Sequence, residues 1–402
     1  MSEKLNIGLF GFGVVGQGLY DIIKTKQLDL EIVEIAIKDE GKQRSLPSNL
    51  FTTNQDELLN NPEINTIVEL INDTDAAFGI VSRALCSGKN VVSASKKMIA
   101  HYLSELIALT QKHGTSLLYE GAVCGSIPII RNLEEYYDNE MLHSVSGIFN
   151  GSSNYILSKG FNENMDYHTA LKKAQDLGFA ETDPTSDVGG FDAKYKLVIL
   201  AAHAFGVIVA PDQVFNLGIQ NLSEHDLQHA RKNNLKIKLV PVAKELGEGR
   251  LALFVLPKFV NKKELLYNVE YEYNGVIIEA YFADQQFFFG KGAGGHPTGS
   301  AVLSDITALR CGYKYEYKKA KEGVNLSFTN NLELNIYIRY QDKSLIESLN
   351  FTEIHECYYS NGYKFVIGQI NLQNLMNCQR LLINDKAFVA CTDESYDFER
   401  MR

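Results

Sequence analysis

The chain has 402 residues, 45% of them hydrophobic and 22% charged, which is the balance of an ordinary globular protein. At about 150 residues per domain, this length predicts two to three domains. The formal net charge of −10 and the lack of a long apolar run argue against nucleic acid or a membrane as a partner. The six scattered cysteines and the absence of signal-peptide features indicate a cytoplasmic protein with reduced thiols.

The first third of the chain alternates short β-branched runs with helical patterns. Because this alternation is typical of a parallel sheet covered by helices, we predict an α/β fold with an N-terminal Rossmann-type sheet. This first domain, for which the glycine motif described below predicts dinucleotide binding, covers residues 1–143, and residues of about 290–310 return to it. The predicted strands are residues 5–10, 31–38, 66–71, 90–95 and 115–120.

Residues 144–289 follow a different pattern, which predicts a second, α+β domain. An acidic loop, residues 178–190, precedes a predicted apolar helix over Asp192–Phe205. The glycine-rich residues 286–300 predict a hinge before a helix that ends near Leu309. The predicted strands are Lys236–Val242, Leu251–Val260, Val269–Tyr273 and Val276–Phe282, with a turn at Tyr273-Asn274-Gly275.

A charged linker from Cys311 to about Leu332 leads to a third, small α+β domain over residues 330–402. The predicted elements are strands Leu334–Tyr340, Phe351–Tyr359, Tyr363–Gln369 and Ala387–Cys391, a helix over Leu372–Leu382, and a very short helix around Ser344–Leu349.

A glycine motif, Gly11-Phe12-Gly13-Val14-Val15-Gly16, follows the first predicted strand and opens a helical pattern. The first glycine turns the chain, the second lets backbone approach a pyrophosphate, and the third lets helix and strand pack closely. We therefore predict cofactor binding by Gly11, Gly13, Val14, Val15 and Gly16. A purely structural turn is the alternative.

The choice of cofactor depends on the end of the second strand, where an acid binds the ribose of NAD or a base binds the 2′-phosphate of NADP. Lys38 comes first at this strand end, and Arg44 follows it, so we predict NADP held by these two bases. The alternatives are NAD held by Asp39 and a charged turn that only faces solvent.

The chemistry points to the acidic loop and the helix that follows it. Asp192 and Lys196 are one helical turn apart, and the residues after Lys196 are nearly all apolar. A lysine at the edge of an apolar core can exchange a proton near neutral pH, and a carboxylate one turn away can position it. The loop carboxylates Glu181 and Asp187 suit a substrate with an ammonium group. The alternative is an acidic helix start with a surface ion pair.

Together these strings resemble homoserine dehydrogenase over about residues 5 to 310. The motifs that carry the resemblance occur in this order: Gly11 to Gly16, Ser93-Ala94-Ser95-Lys96, Tyr119 to Pro128, Gly147 to Ile156, Glu181 to Lys196, and Gly292-Ala293-Gly294-Gly295-His296-Pro297-Thr298. The resemblance implies NAD(P)-dependent interconversion of L-aspartate 4-semialdehyde and L-homoserine in the aspartate-derived threonine and methionine pathway. It also implies that residues 144–289 bind the substrate and mediate dimerisation, in a homodimer or a dimer of dimers.

Residue roles follow from the same resemblance. Lys196 would donate the proton and Asp192 would assist it, while Glu181, Asp187 and Lys96 would bind the substrate. Further cofactor contacts are implied for Ser93, Lys96 and Gly294. A structural monovalent cation such as Na⁺ is implied on backbone carbonyls of one loop, through Glu120, Val123, Gly125 and Ile127.

Departures from the family pattern lie near the expected nicotinamide site. Ser95 stands where the family usually has asparagine, Ile71-Asn72-Asp73-Thr74 replaces a glycine pair, and Lys291 replaces a proline. The C-terminal region resembles a degenerate ACT domain, with a structural or dimerising extension as the alternative. Two other functions compete: a related nicotinamide oxidoreductase with a different substrate, and a cofactor-binding sensor, which intact Lys196 and Asp192 disfavour.

Overall fold

The computed structural model describes residues 4–28, 30–39, 41–44, 46–321, 326–360 and 362–392. The chain divides into two compact units. The first unit is Met1–Asn139, Val198–Pro211 and Gly290–Gly323, and the second is Glu140–Leu197, Asp212–Phe289 and Val324–Arg402. The domain limits predicted at residues 143, 289 and 330 stay predictions.

The described part of the first unit contains a parallel sheet, as predicted from the alternating pattern, but with six strands instead of the predicted five. The additional strand, Phe51–Thr52, is only two residues long and leaves no alternating pattern to recognise. Its spatial order is β3-β2-β1-β4-β5-β6, so the order reverses between β1 and β4. Sheets of this kind bind ligands outside the carboxyl ends of the strands at such a reversal. The strands are β1 (Asn6–Phe10), β2 (Glu31–Ala36), β3 (Phe51–Thr52), β4 (Thr66–Glu69), β5 (Asn90–Ser93) and β6 (Leu117–Leu118).

The described part of the second unit is built on one mixed sheet with the order β12-β11-β7-β9-β10-β17-β14-β16-β15, and β8 and β13 pair with β10. The strands are β7 (Leu142–Ile148), β8 (Phe215–Asn216), β9 (Leu235–Glu245), β10 (Arg250–Asn261), β11 (Tyr273–Ala280), β12 (Asp284–Lys291), β13 (Ser327–Phe328), β14 (Glu333–Arg339), β15 (Glu353–Ser360), β16 (Tyr363–Asn371) and β17 (Phe388–Cys391).

Several helices are preceded by a residue whose side chain caps their first turn. Asp73, Asn150 and Asp166 each accept a backbone N–H from the first turn of the helix that follows, which satisfies a donor with no partner inside the helix. None of the described helices is long and apolar enough to cross a membrane. The helices are α1 (Val14–Lys26), α2 (Gln55–Asn60), α3 (Thr74–Cys86), α4 (Lys96–His113), α5 (Ile130–Glu135), α6 (Gly151–Glu163), α7 (Tyr167–Asp176), α8 (Thr185–Val188), α9 (Phe191–Phe205), α10 (Glu224–Lys232), α11 (Gly295–Leu309), α12 (Lys318–Lys321), α13 (Lys343–Leu349), α14 (Leu372–Asn377) and α15 (Gln379–Asn384).

Three local predictions are wrong. Val269–Tyr273 is not a strand: a 3₁₀ turn occupies Leu265–Asn268, and β11 begins only at Tyr273. The predicted turn at residues 273–275 therefore lies inside β11. The amide of Asn154 explains the irregular backbone, because its Nδ2 donates to the carbonyl oxygens of Val269, Tyr271 and Tyr273. The predicted hinge over residues 286–300 is instead the end of β12 and the start of α11.

The C-terminal strands continue the sheet of the second unit through the pairing of β17 with β10. From β14 to β17 the elements run strand, helix, strand, strand, helices, strand, with β14 and β16 adjacent. This is the split β-α-β arrangement. Its identity as an ACT-like domain stays a prediction, and residues 393–402 of that predicted domain lie outside the described residues.

A buried ion pair joins α10 to these C-terminal strands. Asp226, which is fully buried, accepts from Arg339 Nε at 3.0 and 3.1 Å and from the Tyr337 hydroxyl at 3.0 Å. The same carboxylate accepts the backbone N–H of Ser223 at 2.9 Å and so forms the capping box of α10. One side chain thus stabilises both a helix start and its contact with β14.

We expect Asp226→Ala to lower the free energy of unfolding by about 3 kcal/mol, because Arg339 keeps a largely buried charge and α10 loses its cap. Chemical denaturation followed by circular dichroism measures the change. Glu224→Ala is the matched control, since its exposed ion pair with Arg231 on the same helix should contribute no more than about 1 kcal/mol. Equal losses in the two variants would contradict the role given to Asp226.

Candidate active site

The three glycines of the turn between β1 and α1 differ in how much space surrounds them. Gly11 has a φ of +94°, and a Cβ there would lie 2.7 Å from the carbonyl oxygen of Leu70. A Cβ on Gly16 would lie 2.5 Å from the carbonyl oxygen of Gly11. A Cβ on Gly13, by contrast, would meet no protein atom within 4 Å. Two glycines therefore permit close packing, whereas Gly13 borders open space.

The start of α1 is suited to an anion. Gly13 provides no side-chain cap, and the first turn contains no acidic residue, so its N–H groups keep their partial positive charge. Val14 is 73% exposed, although it is apolar. These features fit the pyrophosphate of a dinucleotide.

A second helix begins beside the first. A Cβ on Gly18 of α1 would lie 2.3 Å from the carbonyl of Gly295, and a Cβ on Gly295 would lie 2.9 Å from the carbonyl oxygen of Val14. Gly294 precedes α11 with a φ of +131° and provides no side-chain cap. The N-terminus of α11 therefore lies next to the N-terminus of α1, which is consistent with the predicted role of Gly294.

The loop after β2 contains both basic and acidic residues, as its sequence indicates. Lys38 and Asp39 are exposed. Arg44 is less exposed: its guanidinium donates to the carbonyl oxygens of Lys42 and Asp39, at 2.8 and 2.6 Å, and lies over the ring of Phe51. The Asp39 carboxylate accepts the N–H of Gly41 at 2.8 Å. Arg44 thus holds the loop that presents Lys38 and Asp39.

Two further predicted cofactor residues lie at the carboxyl end of β5 in the first unit. Ser93 is its last residue and is fully buried, and Lys96 is half-buried as the first residue of α4. The hydroxyl of Ser93 donates to the Glu69 carboxylate at 2.5 Å and accepts the N–H of Ser95 at 3.1 Å. Ser93 therefore orients the loop that carries Lys96.

The second unit holds the predicted proton donor. The ammonium of Lys196 is 2.8 Å from the Asp192 carboxylate and donates to the carbonyl oxygen of Phe149 at 2.6 Å. Lys196 and Asp192 are only 6% and 3% exposed. The alternative of a surface ion pair is therefore wrong, since both partners lie inside the protein.

Asn150 joins this pair to the acidic loop. Its Nδ2 donates to Asp192 at 2.9 Å and to Asp187 at 2.7 Å, while its Oδ1 accepts the N–H of Ser153. No role was predicted for Asn150, although an asparagine followed by Gly-Ser-Ser before a helical run is a recognisable cap. The sequence does not show that the amide nitrogen of the same side chain donates to the carboxylates of Asp187 and Asp192.

Glu181, another of the predicted substrate residues, is exposed in the acidic loop. Its backbone carbonyl accepts from the Gln175 side chain at 3.1 Å, which fixes the loop against α7. Asp187, in α8, is half-buried and is held by Asn150. The structure thus brings Asp187 to the Lys196 pair, and it places Glu181 at the surface.

In the predicted cation loop, the side chain of Glu120 caps a helix. Its carboxylate accepts the N–H groups of Ile129, Ile130 and Arg131 at the start of α5. The backbone N–H of Glu120 donates to the Asp305 carboxylate. Burial raises the pKa of Glu120, and the three N–H groups oppose that shift. Among the described residues, no cluster of three or more His, Cys, Asp and Glu side chains could hold a metal ion. Backbone carbonyls are what this loop can offer to a cation.

Comparison with known proteins decides the family. The family model for homoserine dehydrogenase matches residues 128–307, and the model for its NAD binding domain matches residues 11–120. The homoserine dehydrogenase of Lactococcus lactis is 38% identical over 317 residues, which cover 76% of this chain and 74% of that protein. The Bacillus subtilis enzyme is 35% identical, with 76% and 73% covered. The chain belongs to the homoserine dehydrogenase family.

Solved structures of the family agree with this assignment. A homoserine dehydrogenase from Thiobacillus denitrificans has a TM-score of 0.85 at 26% identity, with 97% of this chain and 98% of that chain covered. A hyperthermophilic archaeal homoserine dehydrogenase mutant in complex with NADPH has a TM-score of 0.67 at 26% identity, with 78% and 100% covered. The protein is thus an oxidoreductase with a dinucleotide-binding domain, and it interconverts L-aspartate 4-semialdehyde and L-homoserine.

We expect Gly13→Val to raise the Kd for NADPH by about tenfold or more, because a side chain there would displace the pyrophosphate from the start of α1. The fold should survive, since a Cβ on Gly13 meets no protein atom. Fluorescence titration of NADPH measures the affinity. Gly79→Val, an exposed site in α3 that is equally open, is the control. Unchanged affinity of Gly13→Val would mean that the glycine turn is only structural.

Proposed function

We propose that Lys196 is the proton donor of this homoserine dehydrogenase when it reduces the aldehyde of L-aspartate 4-semialdehyde. One observation carries the proposal. An ammonium has three N–H donors, and within the described residues two of those of Lys196 face partners, the Phe149 carbonyl and the Asp192 carboxylate. The third is left for the oxygen of a substrate.

The neighbours of Lys196 keep its ammonium in one orientation. Asp192 stabilises the positive charge, and Asn150 in turn holds Asp192, so neither group has to reorganise when a substrate arrives. Lys196 gives a proton to the aldehyde oxygen as that oxygen gains negative charge, and the product is a hydroxyl. In the oxidising direction the same nitrogen, deprotonated, accepts the hydroxyl proton.

The carboxylates of the acidic loop explain the preference for an amino-acid substrate. We assign Asp187 and Glu181 to the substrate's ammonium group, and Lys96 to its carboxylate or reacting end. Asp187 is held by Asn150, and Glu181 is exposed in the same acidic loop. A single opposite charge in a partly buried site is a strong determinant of substrate class.

The cofactor supplies a hydride when it is bound. Gly11, Gly13, Val14, Val15 and Gly16 form the turn that would receive its pyrophosphate. Gly294 extends this surface at the start of α11, and Ser93 and Lys96 lie at the carboxyl edge of the sheet. We propose NADP as the preferred form, because Lys38 is exposed and Arg44 is a base in the same loop. NAD held by Asp39 is the competing assignment.

Three further features are proposals. A monovalent cation such as Na⁺ would bind backbone carbonyls of Glu120, Val123, Gly125 and Ile127. A homodimer, or a dimer of dimers, is supported by exposed aromatic side chains near the edge strand β12, where Tyr281, Phe282 and Phe289 are 62%, 72% and 54% exposed. The C-terminal region from residue 330 would be an ACT-like domain, supported by its order of elements.

The proton-donor assignment is tested with Lys196→Met, which keeps the length of the side chain and removes its charge. We expect kcat for the reduction of aspartate semialdehyde, followed by NADPH absorbance, to fall about 10²-fold or more. The Kd for NADPH should not change.

Lys194→Met is the matched control. Lys194 is another buried lysine of α9, and its ammonium lies over the ring of Phe191, 4.9 Å from the ring centroid. We expect its variant to keep most of the turnover. A Lys196→Met enzyme that retains most of its kcat would refute the assignment.

The cofactor preference is tested with the double variant Lys38→Gln/Arg44→Gln. A charge-assisted contact contributes about 1.5 to 3 kcal/mol, so kcat/KM with NADPH should fall at least about tenfold more than kcat/KM with NADH. Lys42→Gln, an exposed lysine of the same loop, is the control and should change neither value much. Equal losses with the two cofactors, or a wild-type preference for NADH, would refute the NADP assignment.

A further inference from the structure

Glu69 is a buried carboxylate at a position that neither the glycine motif nor the acidic loop explains. It is the last residue of β4 and is fully buried. Its Oε1 accepts the backbone N–H of Ile71 at 2.7 Å, and its Oε2 accepts the Ser93 hydroxyl at 2.5 Å. Within the described part of the chain it has no ion-pair partner.

Such a group is expensive to bury. Burial raises the pKa of Glu69 to about 7, against the opposing effect of the Ser93 hydroxyl and the Ile71 amide. An apolar residue would occupy the same space without that cost. The carboxylate therefore needs an explanation beyond filling the core.

Its location gives one. β4 lies between β1 and β5, and the strand order reverses between β1 and β4, so Glu69 is at the carboxyl edge where the crevice for a ligand opens. One of its two hydrogen bonds goes to the loop after β4, and the other goes to the last residue of β5. Glu69 thus connects two neighbouring loops at that edge.

Both loops border predicted cofactor residues. The loop after β4 packs on the glycine turn, since Leu70 donates its N–H to Phe10 at 2.8 Å and its carbonyl oxygen leaves no room for a Cβ on Gly11. On the other side, Ser93 accepts the N–H of Ser95, directly before Lys96. A displacement of Glu69 would therefore move the loop after β4 and the loop after β5, which lie on the two sides of the crevice.

We propose that Glu69 is a positioning residue for cofactor binding, because it holds the loop after β4 and the loop after β5 at a fixed separation. It acts through Ile71 and Ser93 rather than by touching the cofactor. This inference rests on the proposed function and deepens it. It also accounts for a loop that reads Ile71-Asn72-Asp73 and still packs closely on the glycine turn.

The test measures the Kd for NADPH by fluorescence titration of the full chain, without substrate. Glu69→Ala loses both hydrogen bonds, and we expect its Kd to rise at least about tenfold. Glu69→Gln can still accept from Ile71 with its oxygen and donate to the Ser93 hydroxyl with its nitrogen, so its Kd should stay within about threefold of wild type. Glu69→Asp is too short to reach both loops and should resemble Glu69→Ala.

Thr66→Val is the matched control, because Thr66 is a fully buried polar residue at the opposite end of β4 and bonds to Asn65. We expect it to alter the unfolding temperature but not the Kd. A Kd for Glu69→Ala equal to that of wild type overturns the inference, as does an equal rise in Thr66→Val. If Glu69→Ala does not fold, the Kd of Glu69→Asp is used instead: a rise supports the inference, and a value equal to that of wild type overturns it.

The two proposals fail in different ways. A wild-type chain that binds neither NADPH nor NADH overturns the proposed cofactor use, and this inference with it. A wild-type chain that binds NADPH, together with Glu69→Ala and Glu69→Asp variants that bind it equally well, overturns the role of Glu69 alone.

Discussion

The contact between the backbones of α1 and α11 is the constraint on which the cofactor-binding edge of the first unit depends. Where Gly18 meets Gly295 there is no room for a side chain on either helix. Because the two helices touch at this point, Gly13 and Gly294 begin them side by side, and neither helix start has a side-chain cap. A polar cap at either position would fill the space at these helix starts, which explains why glycines precede both helices.

In the second unit a single side-chain amide has the comparable role. Asn150 caps α6 with its oxygen and holds Asp187 and Asp192 with its nitrogen. One amide nitrogen therefore donates to both carboxylates, and the nearby ammonium of Lys196 balances the charge of Asp192. The chemistry assigned to Lys196 therefore depends on a residue that does not itself transfer a proton.

Buried carboxylates recur as internal ties in this protein. Glu120 accepts backbone N–H groups at the start of α5, and Asp226 accepts one at the start of α10. Glu69 connects two loops at the carboxyl edge of the parallel sheet. Asp305 beside Glu120 has its pKa raised to about 8, first by burial and then by the negative charge of Glu120. A carboxylate offers several acceptor sites, so one side chain can satisfy N–H groups from more than one segment. This property suits loops that lack regular backbone pairing.

The sequence by itself determined the parallel sheet, the glycine turn, and the i, i+4 placement of Asp192 and Lys196 on one helix, because each depends on residues close in the chain. Ordered motifs also identified the family correctly. Tertiary structure alone decided the rest. That Asn150 meets Asp187 and Asp192, that Glu69 meets Ser93, and that β17 extends the sheet of β10 all depend on residues far apart in sequence. The prediction of a strand at residues 269–273 is wrong for the same reason. The backbone carbonyls there accept from the distant side chains of Asn154 and, at Val269, Lys238, and not from the backbone of a neighbouring strand.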